Sequence, residues 1–286
     1  NFDAGPANPN GALSQYSGFN ATLQTQSTGA IGAANMIGFL RGQRGFEDMA
    51  SNNYRIYRSR THVLGDIVNS SPVYVKDPAF DYTEHGYATW KPSRTATVYA
   101  AANDGMLHAF NAATGVERWA FVPTAVIPTL YKLADTNYAN LHRFYVDGPI
   151  TIGDAYFDGK WHTILIGGLG KGGRSYYALD VTGDTPKLLW EFSVDDDADL
   201  GYTYGGAQIT KRKSDGKWVA MFASGSGCTK GLPLRCRSKL AMIAGVRASS
   251  RIDLRRLASG VSTSASGSNM PSALTSVRSM CIGCAV

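Results

Sequence analysis

The sequence predicts an all-β fold in which antiparallel four-stranded sheets repeat along the chain. Residues 101–119 return in altered form at residues 168–190, and residues 158–170 return at residues 215–227. Such self-similarity is typical of repeat architectures, and radially repeated sheets with Gly and aromatic punctuation are the blades of a β-propeller. We expect a partial propeller of about three blades at residues 63–222, an incomplete ring because closed rings hold about 4–8 blades.

The residue types of the repeats fit packed antiparallel strands. Each long copy contains two strands around a Gly-rich turn, a Thr-Gly hairpin and a third strand that ends in Trp-x-Phe. β-branched and aromatic residues suit a pleated surface, and Gly115 and Gly183 are expected to supply the positive φ of a tight hairpin. Trp119 and Trp190 are then expected to lie at equivalent positions between one sheet and the next.

Before the blades, residues 1–62 are expected to form a lead-in segment. Their first half is rich in Asn, Gly, Ser, Gln and Thr, and a short helix is expected within residues 33–50, where several glycines weaken the helical pattern. The strand that opens the first blade is expected within residues 64–75. Residues 123–143 form a long insertion between the first and second blades, with helical character near residues 127–134.

Residues 223–286 differ in composition from the rest of the chain. They hold nine Lys and Arg against one acidic residue, all four cysteines and no aromatic residue, so the formal charge of +6 comes from this tail. Low aromatic content and excess charge disfavour a packed core, and we expect an irregular basic tail. Two explanations stay open: a linker-like extension, and translation in a shifted reading frame. We favour the shifted frame, because it changes charge, aromatic content and cysteine content together.

Five short motifs follow one another in the first 205 residues. They are Leu-Gly-Asp-Ile-Val-Asn-Ser-Ser-Pro at 64–72, Ala-Asn-Asp-Gly-Met-Leu-His-Ala-Phe at 102–110, Asp-Gly-Pro at 147–149, Gly-Lys-Gly-Gly at 170–173 and Asp-Leu-Gly-Tyr-Thr-Tyr-Gly at 199–205. Each motif is short, but together and in this order they resemble the C-terminal propeller of the PilC/PilY family of type IV pilus biogenesis factors and tip adhesins. The resemblance covers about residues 41–222.

The resemblance implies an exported protein of the outer membrane, cell surface or pilus that is not an enzyme. It implies roles in pilus assembly, surface attachment and twitching motility. The implied partners are pilin subunits or the pilus assembly machinery, and a host or abiotic surface. The family's calcium-binding loop, an Asp-rich run in a later blade, has no counterpart here. We therefore expect no cofactor in this fragment and Ca²⁺ only in the full-length family domain.

A second function stays open, because the blade pattern also resembles the quinoprotein-like blades of pyrroloquinoline-quinone-dependent dehydrogenases. Those enzymes commonly carry adjacent cysteines near the cofactor, whereas this chain has no Cys-Cys pair and no cysteine within the blades. A third alternative is an outer-membrane scaffold protein that is itself built from similar blades. That class would not share the motifs at residues 64–72 and 199–205.

The densest acidic run contains Asp195, Asp197 and Asp199 as candidate metal ligands. Hard cations such as Ca²⁺ bind several carboxylate oxygens. The run lacks the alternating Asp-x-Asp-x-Asp-Gly pattern of a calcium loop and its distal Glu. A solvated turn between blades is therefore the favoured interpretation, with a metal site as the alternative.

The remaining patterns favour structural explanations. The Gly-rich residues 167–173 lack the spacing of a phosphate-binding P-loop, and the histidines lack metal-ligand spacing. Cys281 and Cys284 have the Cys-x-x-Cys spacing of a zinc site, but Cys228 and Cys236 are too far apart for the usual second pair of ligands, so zinc is disfavoured. The basic tail has no aromatic side chains for base stacking, so no nucleic acid partner is expected. No apolar stretch approaches the roughly 20 residues that span a bilayer, so the chain is not expected to be transmembrane. Because it begins at Asn1, we expect a piece of a longer protein.

Overall fold

The computed structural model describes residues 34–76, 80–225 and 238–242. Their strands form three antiparallel sheets, which follow one another along the chain as the repeats predict. The described chain is mostly β, with only short helical segments between the strands. Within the described ranges, the helices are too short or too polar to cross a membrane.

Blades 1 and 2 each consist of four strands in chain order, every strand antiparallel to the next. Blade 1 comprises β1 (Val73–Val75), β2 (Thr97–Ala102), β3 (Met106–Asn111) and β4 (Glu117–Phe121). Blade 2 comprises β5 (Ile150–Phe157), β6 (Lys160–Gly168), β7 (Ser175–Asp180) and β8 (Lys187–Ser193). The two blades therefore share strand number, order and direction.

Trp119 and Trp190 occupy equivalent positions in the two blades, as the sequence predicts. Trp119 lies opposite Ala109 in the β3–β4 pairing, and the register shifts immediately after Ala109. Trp190 lies opposite Ala178 in the β7–β8 pairing, with the same shift immediately after Ala178. A shared bulge at the same strand pair is a conserved device for bending and twisting a sheet, so the repeat extends to irregularities of the backbone.

The two Thr-Gly hairpins are less alike than their sequences predict. Gly115 has a φ of 71°, as expected for a left-handed turn residue. Gly183 does not have a positive φ, so the prediction for this glycine is wrong. The connection in blade 2 is longer, and the carboxylate of Asp180 accepts hydrogen bonds from the N–H and hydroxyl of Thr182 at 3.0 and 2.5 Å. A side chain rather than a left-handed glycine therefore shapes this turn.

Blade 3 has three described strands, β9 (Gln208–Lys211), β10 (Trp218–Ala223) and β11 (Ser238–Met242), with β10 at the centre. β11 pairs antiparallel with β10 along its whole length. β11 is therefore a regular strand within residues 223–286, where the sequence predicted an irregular tail, and that prediction is wrong for residues 238–242. Backbone N–H and C=O groups complete a ladder whatever the side chains, so the lack of aromatic residues does not prevent pairing. The rest of the tail lies outside the described residues, and its shifted frame stays a prediction.

A short helix, α1 (Ala34–Leu40), lies within the lead-in segment where one was expected. It ends because Gly42 adopts a φ of +96°, and the N–H of Gln43 then bonds the carbonyl of Gly38 at 2.8 Å. This is the Schellman arrangement of a helix C-terminus. The other helical segments are α2 (Tyr87–Trp90) and the 3₁₀ turns Lys91–Ser93, Thr124–Ala134 and Tyr138–Asn140.

Blade 2 is packed on both faces. Every residue of β7 is buried, and β6 is buried from its second residue to its end. On one side, Leu165, Leu179 and Tyr177 join a core with blade 1, α1 and the 3₁₀ insertion. On the other side, Ile164 and Ile166 join a core with blade 3. Because both faces are covered, the central residues of β6 and β7, 164–166 and 176–179, are continuously apolar rather than alternating.

Candidate functional site

Each blade is preceded by a short segment that leads the chain to its first strand. We call residues 64–72, 145–149 and 199–205 the first, second and third approach segments; they precede β1, β5 and β9. They contain three of the five motifs. Their hydrogen bonds run to one another and to turns of the neighbouring blade, so the motifs together build the junctions between consecutive blades.

The second approach segment is tied to the first through Asp147, which has no exposed surface. The Asp147 carboxylate accepts hydrogen bonds from the backbone N–H groups of Val68, Asn69 and Ser70 at 2.9 to 3.0 Å. The side-chain amide of Asn69 donates a further bond at 2.8 Å. Successive N–H groups that converge on one anion form a nest, which compensates a buried charge. We call this arrangement the Asp147 clasp.

Asn103, in the β2–β3 turn, joins both approach segments. Its N–H donates to the carbonyl of Asp66 at 2.9 Å and its side-chain amide donates to the Asp66 carboxylate at 2.8 Å. Its side-chain oxygen accepts the N–H of Tyr145 at 2.9 Å. His142 lies 3.0 Å from the Asp66 carboxylate. Burial raises the pKa of Asp66, but the hydrogen bonds from Asn103 and His142 outweigh burial and lower the pKa overall.

Glycines in the motifs allow the second approach segment to lie directly against blade 2. A Cβ on Gly148 would collide with the backbone carbonyl of Gly168, and a Cβ on Gly172 would collide with the carbonyl of Tyr145. These atoms are backbone and cannot move aside as a flexible side chain does. Residues 169–173, which follow β6, therefore form a turn against which another segment of the chain packs, a structural role that the sequence favours over a phosphate cradle.

The third approach segment is joined to blade 2 through Thr203, which is fully buried. The Thr203 hydroxyl accepts the N–H of Leu169 at 2.8 Å and lies 3.1 Å from the carbonyl of Ser175, to which it can donate. Arg174 donates from Nε to the carbonyl of Leu200 at 2.8 Å. The junction between blades 2 and 3 therefore uses a hydroxyl and a guanidinium group where the junction between blades 1 and 2 uses a carboxylate.

A cleft of about 270 Å³ lies between the lead-in segment, the first approach segment and the β2–β3 turn. Arg58 lines it, with Nε 2.5 Å from the carbonyl of Leu133 and its guanidinium 4.4 Å from the ring centroid of Tyr138. The carboxylates of Asp66 and Asp104 line the same cleft. Burial lowers the pKa of Arg58 relative to a free guanidinium. The cleft therefore presents both signs of charge beside apolar walls.

Arg60 is buried beside this cleft and fixes its wall. Its Nε donates to Glu47 at 2.6 Å, and its terminal nitrogens donate to the carbonyls of Phe39 and Gln43 at 2.9 and 3.0 Å. The buried carboxylate of Glu47 has its pKa raised by burial, but the hydrogen bonds and charge of Arg60 lower it overall. Because its donors are satisfied within the chain, Arg60 has a structural role here.

His108 lies in β3 between two carboxylates. Its Nδ1 is 2.6 Å from Glu117 and its Nε2 is 3.0 Å from Asp104. Asp104 also accepts the N–H of Gly65, so the histidine supports the turn that holds the first approach segment. Burial lowers the pKa of His108, but the hydrogen bonds and charges of Asp104 and Glu117 outweigh burial and raise it.

The candidate metal ligands Asp195, Asp197 and Asp199 lie in the turn after β8. The Asp197 carboxylate accepts the N–H of Asp199 at 2.9 Å, and the neighbouring Asp196 accepts the N–H of Ser193. These bonds are typical of a turn. Within the part of the chain that the structure describes, no three His, Cys or acidic side chains are grouped as metal ligands. Metal binding by Asp195, Asp197 and Asp199 stays a prediction.

The residues that build the junctions were not predicted individually. Asp147, Asn103 and Thr203 lie in motifs that carried only the family resemblance, and their partners are distant in sequence. Their sequence positions gave one usable signal. Each of the three residues lies just before the first strand of a blade or in the Gly-rich turn after its second strand, and a polar residue at such a position predicts a contact with the neighbouring blade.

The fold and the junctions define a run of β-propeller blades in which the second and third approach segments are hydrogen-bonded to the blade before them. Residues 64–236 match the sequence model of the PilY1 beta-propeller domain. The chain belongs to this family, which confirms the resemblance drawn from the five motifs. The match extends beyond residue 223, where we expected the family pattern to stop.

Two relatives illustrate the similarity. Type IV pilus biogenesis factor PilY1 of Pseudomonas aeruginosa strain UCBPP-PA14 is 42% identical over 206 residues, which cover 68% of this chain and 17% of the relative. A PilY1 homolog of Xylella fastidiosa is 40% identical over 217 residues, 71% of this chain and 17% of the relative. The chain therefore spans about a sixth of these relatives. A crystal structure of the Pseudomonas aeruginosa PilY1 C-terminal domain is 34% identical, with a TM-score of 0.47 over 59% of this chain and 34% of that one.

Proposed function

We propose that this chain is part of an exported type IV pilus biogenesis factor that supports pilus assembly, surface attachment and twitching motility. The observation that carries the proposal is its membership of the PilY1 beta-propeller family, together with relatives named for pilus biogenesis. Its location would be the outer membrane, the cell surface or the pilus. Its partners would be pilin subunits or the assembly machinery, and a host or abiotic surface.

The blade junctions support a role in which the chain presents surfaces rather than performs chemistry. The buried polar groups of Asp147, Asn103 and Thr203 are engaged in hydrogen bonds that join blades. We therefore propose that the chain is not an enzyme. A quinone dehydrogenase is disfavoured by the family match, and adding pyrroloquinoline quinone and Ca²⁺ in a dye-linked alcohol oxidation assay tests this point. Turnover that requires both additions would contradict the proposal.

A chimera tests the pilus function. The residues of Pseudomonas aeruginosa PilY1 that align with 64–225 are replaced by this chain's residues in a strain that lacks its own copy. We expect surface pili, twitching zones and attached cells to return towards the parental level. A chimera that is exported at the parental level, by immunoblot of surface fractions, but restores no pili would contradict the proposal.

Two variants of the chimera connect the function to the fold. Asp147→Asn keeps the size of the side chain but removes the charge that the nest compensates, so we expect fewer pili and a smaller twitching zone. Asp158→Asn changes an exposed acid in the β5–β6 turn and serves as the matched control. Pili restored without attachment would limit the proposed role to assembly.

Calcium binding by Asp195, Asp197 and Asp199 is tested separately by the shift of the unfolding midpoint on adding Ca²⁺.

A further inference from the structure

The connection between β1 and β2 leaves blade 1 and runs across the two blades that follow it. Residues 80–94 of this connection contain α2 and the 3₁₀ turn Lys91–Ser93, and we call them the strap. The strap contacts blade 2 and also blade 3. Units of a repeat protein ordinarily contact only their nearest neighbours. A connection that joins blade 1 to blade 3 is therefore an additional restraint that the repeat pattern does not predict.

The strap is anchored on blade 2 by Asp154, a residue of β5 that is only 1% exposed. The hydroxyl of Tyr87 donates to the Asp154 carboxylate at 2.5 Å, and the guanidinium of Arg94 pairs with the same oxygen. Within the described chain, Nε of Arg94 and Oδ1 of Asp154 have no hydrogen-bond partner. These are the two atoms that a side-on, bidentate pair joins, so the two side chains are complementary. Because a buried carboxylate that loses a donor is costly, this anchor resists release.

Trp161 of β6 forms a second attachment of the strap to blade 2. Its Nε1 donates to the carbonyl of His85 at 3.1 Å, and its ring stacks on Tyr82 with 5.0 Å between the centroids. His85 has a φ of 51°, an uncommon value for a residue with a side chain. The His85 ring stacks on Tyr156 of β5 at 3.9 Å, so contacts with two strands of blade 2 hold the strap at this turn.

Blade 3 contacts the strap at the turn end of its β9–β10 hairpin. Tyr82 meets Trp218 of β10 edge to face, with 5.5 Å between the ring centroids. The Glu84 carboxylate accepts a hydrogen bond from Lys211 of β9 at 2.6 Å, although 127 positions separate the two residues. Lys211 and Trp218 lie opposite each other in the strand pairing. The strap therefore contacts both strands at the same end of the hairpin.

The other end of this hairpin is attached to blade 2. The hydroxyl of Tyr176 donates to the carbonyl of Gly205 at 2.7 Å and lies 3.0 Å from the carbonyl of Ala223. Gly205 precedes β9, and Ala223 ends β10. The hairpin is thus held at one end by blade 2 and at the other end by a connection of blade 1.

We propose that the strap couples blade 3 to blade 1 and limits the opening of the β9–β10 hairpin. While the strap is anchored on Asp154, Tyr82 and Glu84 are held against the turn end of the hairpin. When the anchor is lost, the turn end opens more often, and the contacts of Tyr176 keep the other end attached. The stability of blade 3 thereby depends on a connection of blade 1 as well as on its neighbour, blade 2.

Hydrogen exchange of the full 286-residue chain, followed by mass spectrometry, measures the opening of each hairpin. Tyr87→Phe keeps the ring and removes only the hydroxyl that donates to Asp154. We expect the amides of residues 209–218 to exchange at least about 5-fold faster, and those of β2 and β3 to change by less than about 2-fold. Tyr74→Phe, at an exposed tyrosine on β1 outside the strap, is the matched control and should change neither rate. An unchanged rate at residues 209–218, or an equal acceleration in β2 and β3, would overturn the proposal.

A second variant tests the contact with blade 3 and leaves the anchor on Asp154 in place. Tyr82→Leu keeps an apolar side chain but removes the ring that contacts Trp161 and Trp218, so exchange at residues 209–218 should be about 3-fold faster. Tyr54→Leu, which replaces an exposed tyrosine of the lead-in segment, is its control and should leave this rate unchanged. Equal rates in these two variants would show that the strap does not restrain blade 3, and the coupling would have to be rejected.

Discussion

The carboxylate of Asp147 accepts the backbone N–H of Asn69 at 2.9 Å, although 78 positions separate the two residues. The same carboxylate accepts the N–H groups on either side of Asn69. A single buried side chain therefore fixes the segments that open two consecutive blades.

Replacing Asp147 should destabilise the fold strongly. Asp147→Ala leaves the N–H groups of Val68, Asn69 and Ser70 without their acceptor, and we expect a loss of about 2–4 kcal/mol in the free energy of unfolding. Denaturant unfolding monitored by tryptophan fluorescence measures this loss. Asp158→Asn is the control and should change the free energy by less than about 0.5 kcal/mol. Equal stability of Asp147→Ala and the control would contradict the role of the clasp.

Two adjacent tyrosines in β7 provide a matched pair. The hydroxyl of Tyr176 donates to the carbonyl of Gly205 at 2.7 Å, whereas the buried hydroxyl of Tyr177 has no partner among the described residues. Tyr176→Phe should cost about 1 kcal/mol, because it leaves a carbonyl between blades 2 and 3 unpaired. Tyr177→Phe should be neutral or slightly stabilising, because it removes an unpaired buried hydroxyl. Denaturant midpoints compare the two variants, and the reverse order would refute this assignment.

His108 should make stability depend on pH. Its pKa is raised in the folded state by Asp104 and Glu117, so its contribution is complete below the unfolded pKa and is lost as pH rises through the folded pKa. Relative to His108→Gln, the parent chain should be more stable near pH 5.5, and the difference should shrink towards about pH 8. Urea unfolding at several pH values measures this. His62→Gln replaces an exposed histidine and is the matched control; an equal change with pH in both variants would contradict the role of His108.

Removing β11 should promote self-association. A chain that ends at residue 225 leaves one edge of Trp218–Ala223 unpaired, and that strand is rich in apolar residues. Exposed apolar edges are templates for pairing with another chain. Size-exclusion chromatography should show more oligomer for the chain ending at 225 than for one ending at residue 252. If both chains elute alike over the same concentration range, the pairing of β11 has no protective effect.

The strand pairings of blades 1 and 2 were predictable, because the repeat places Trp119 and Trp190 at the same point of the pattern. The positive φ of Gly115 followed from the Thr-Gly pair, but Gly183 differed because a longer connection and the bonds of Thr182 shape its turn. Amino-acid composition predicted no strand at Ser238–Met242. Composition describes side chains, whereas the pairing of this strand with β10 is made by backbone hydrogen bonds.

The junctions were harder to predict for a different reason. Asp147 and Asn103 belong to recognisable motifs, yet their partners lie in other motifs, and one sequence does not reveal which motif contacts which. The repeat period and the residue composition of the sequence therefore predict the sheets, whereas the contacts between the sheets require the three-dimensional structure.

The spacing within the Asp147 clasp also sets an order of events as the protein is made. Asp147 leaves the ribosome 78 positions after Asn69, so the nest of N–H groups has no acceptor during that interval. At synthesis rates of about 5–20 residues per second, the delay is roughly 4–16 s. All four strands of the first blade precede Asp147, yet the segment that opens this blade is fixed only after the second blade begins, and a pause in synthesis between the two lengthens that interval.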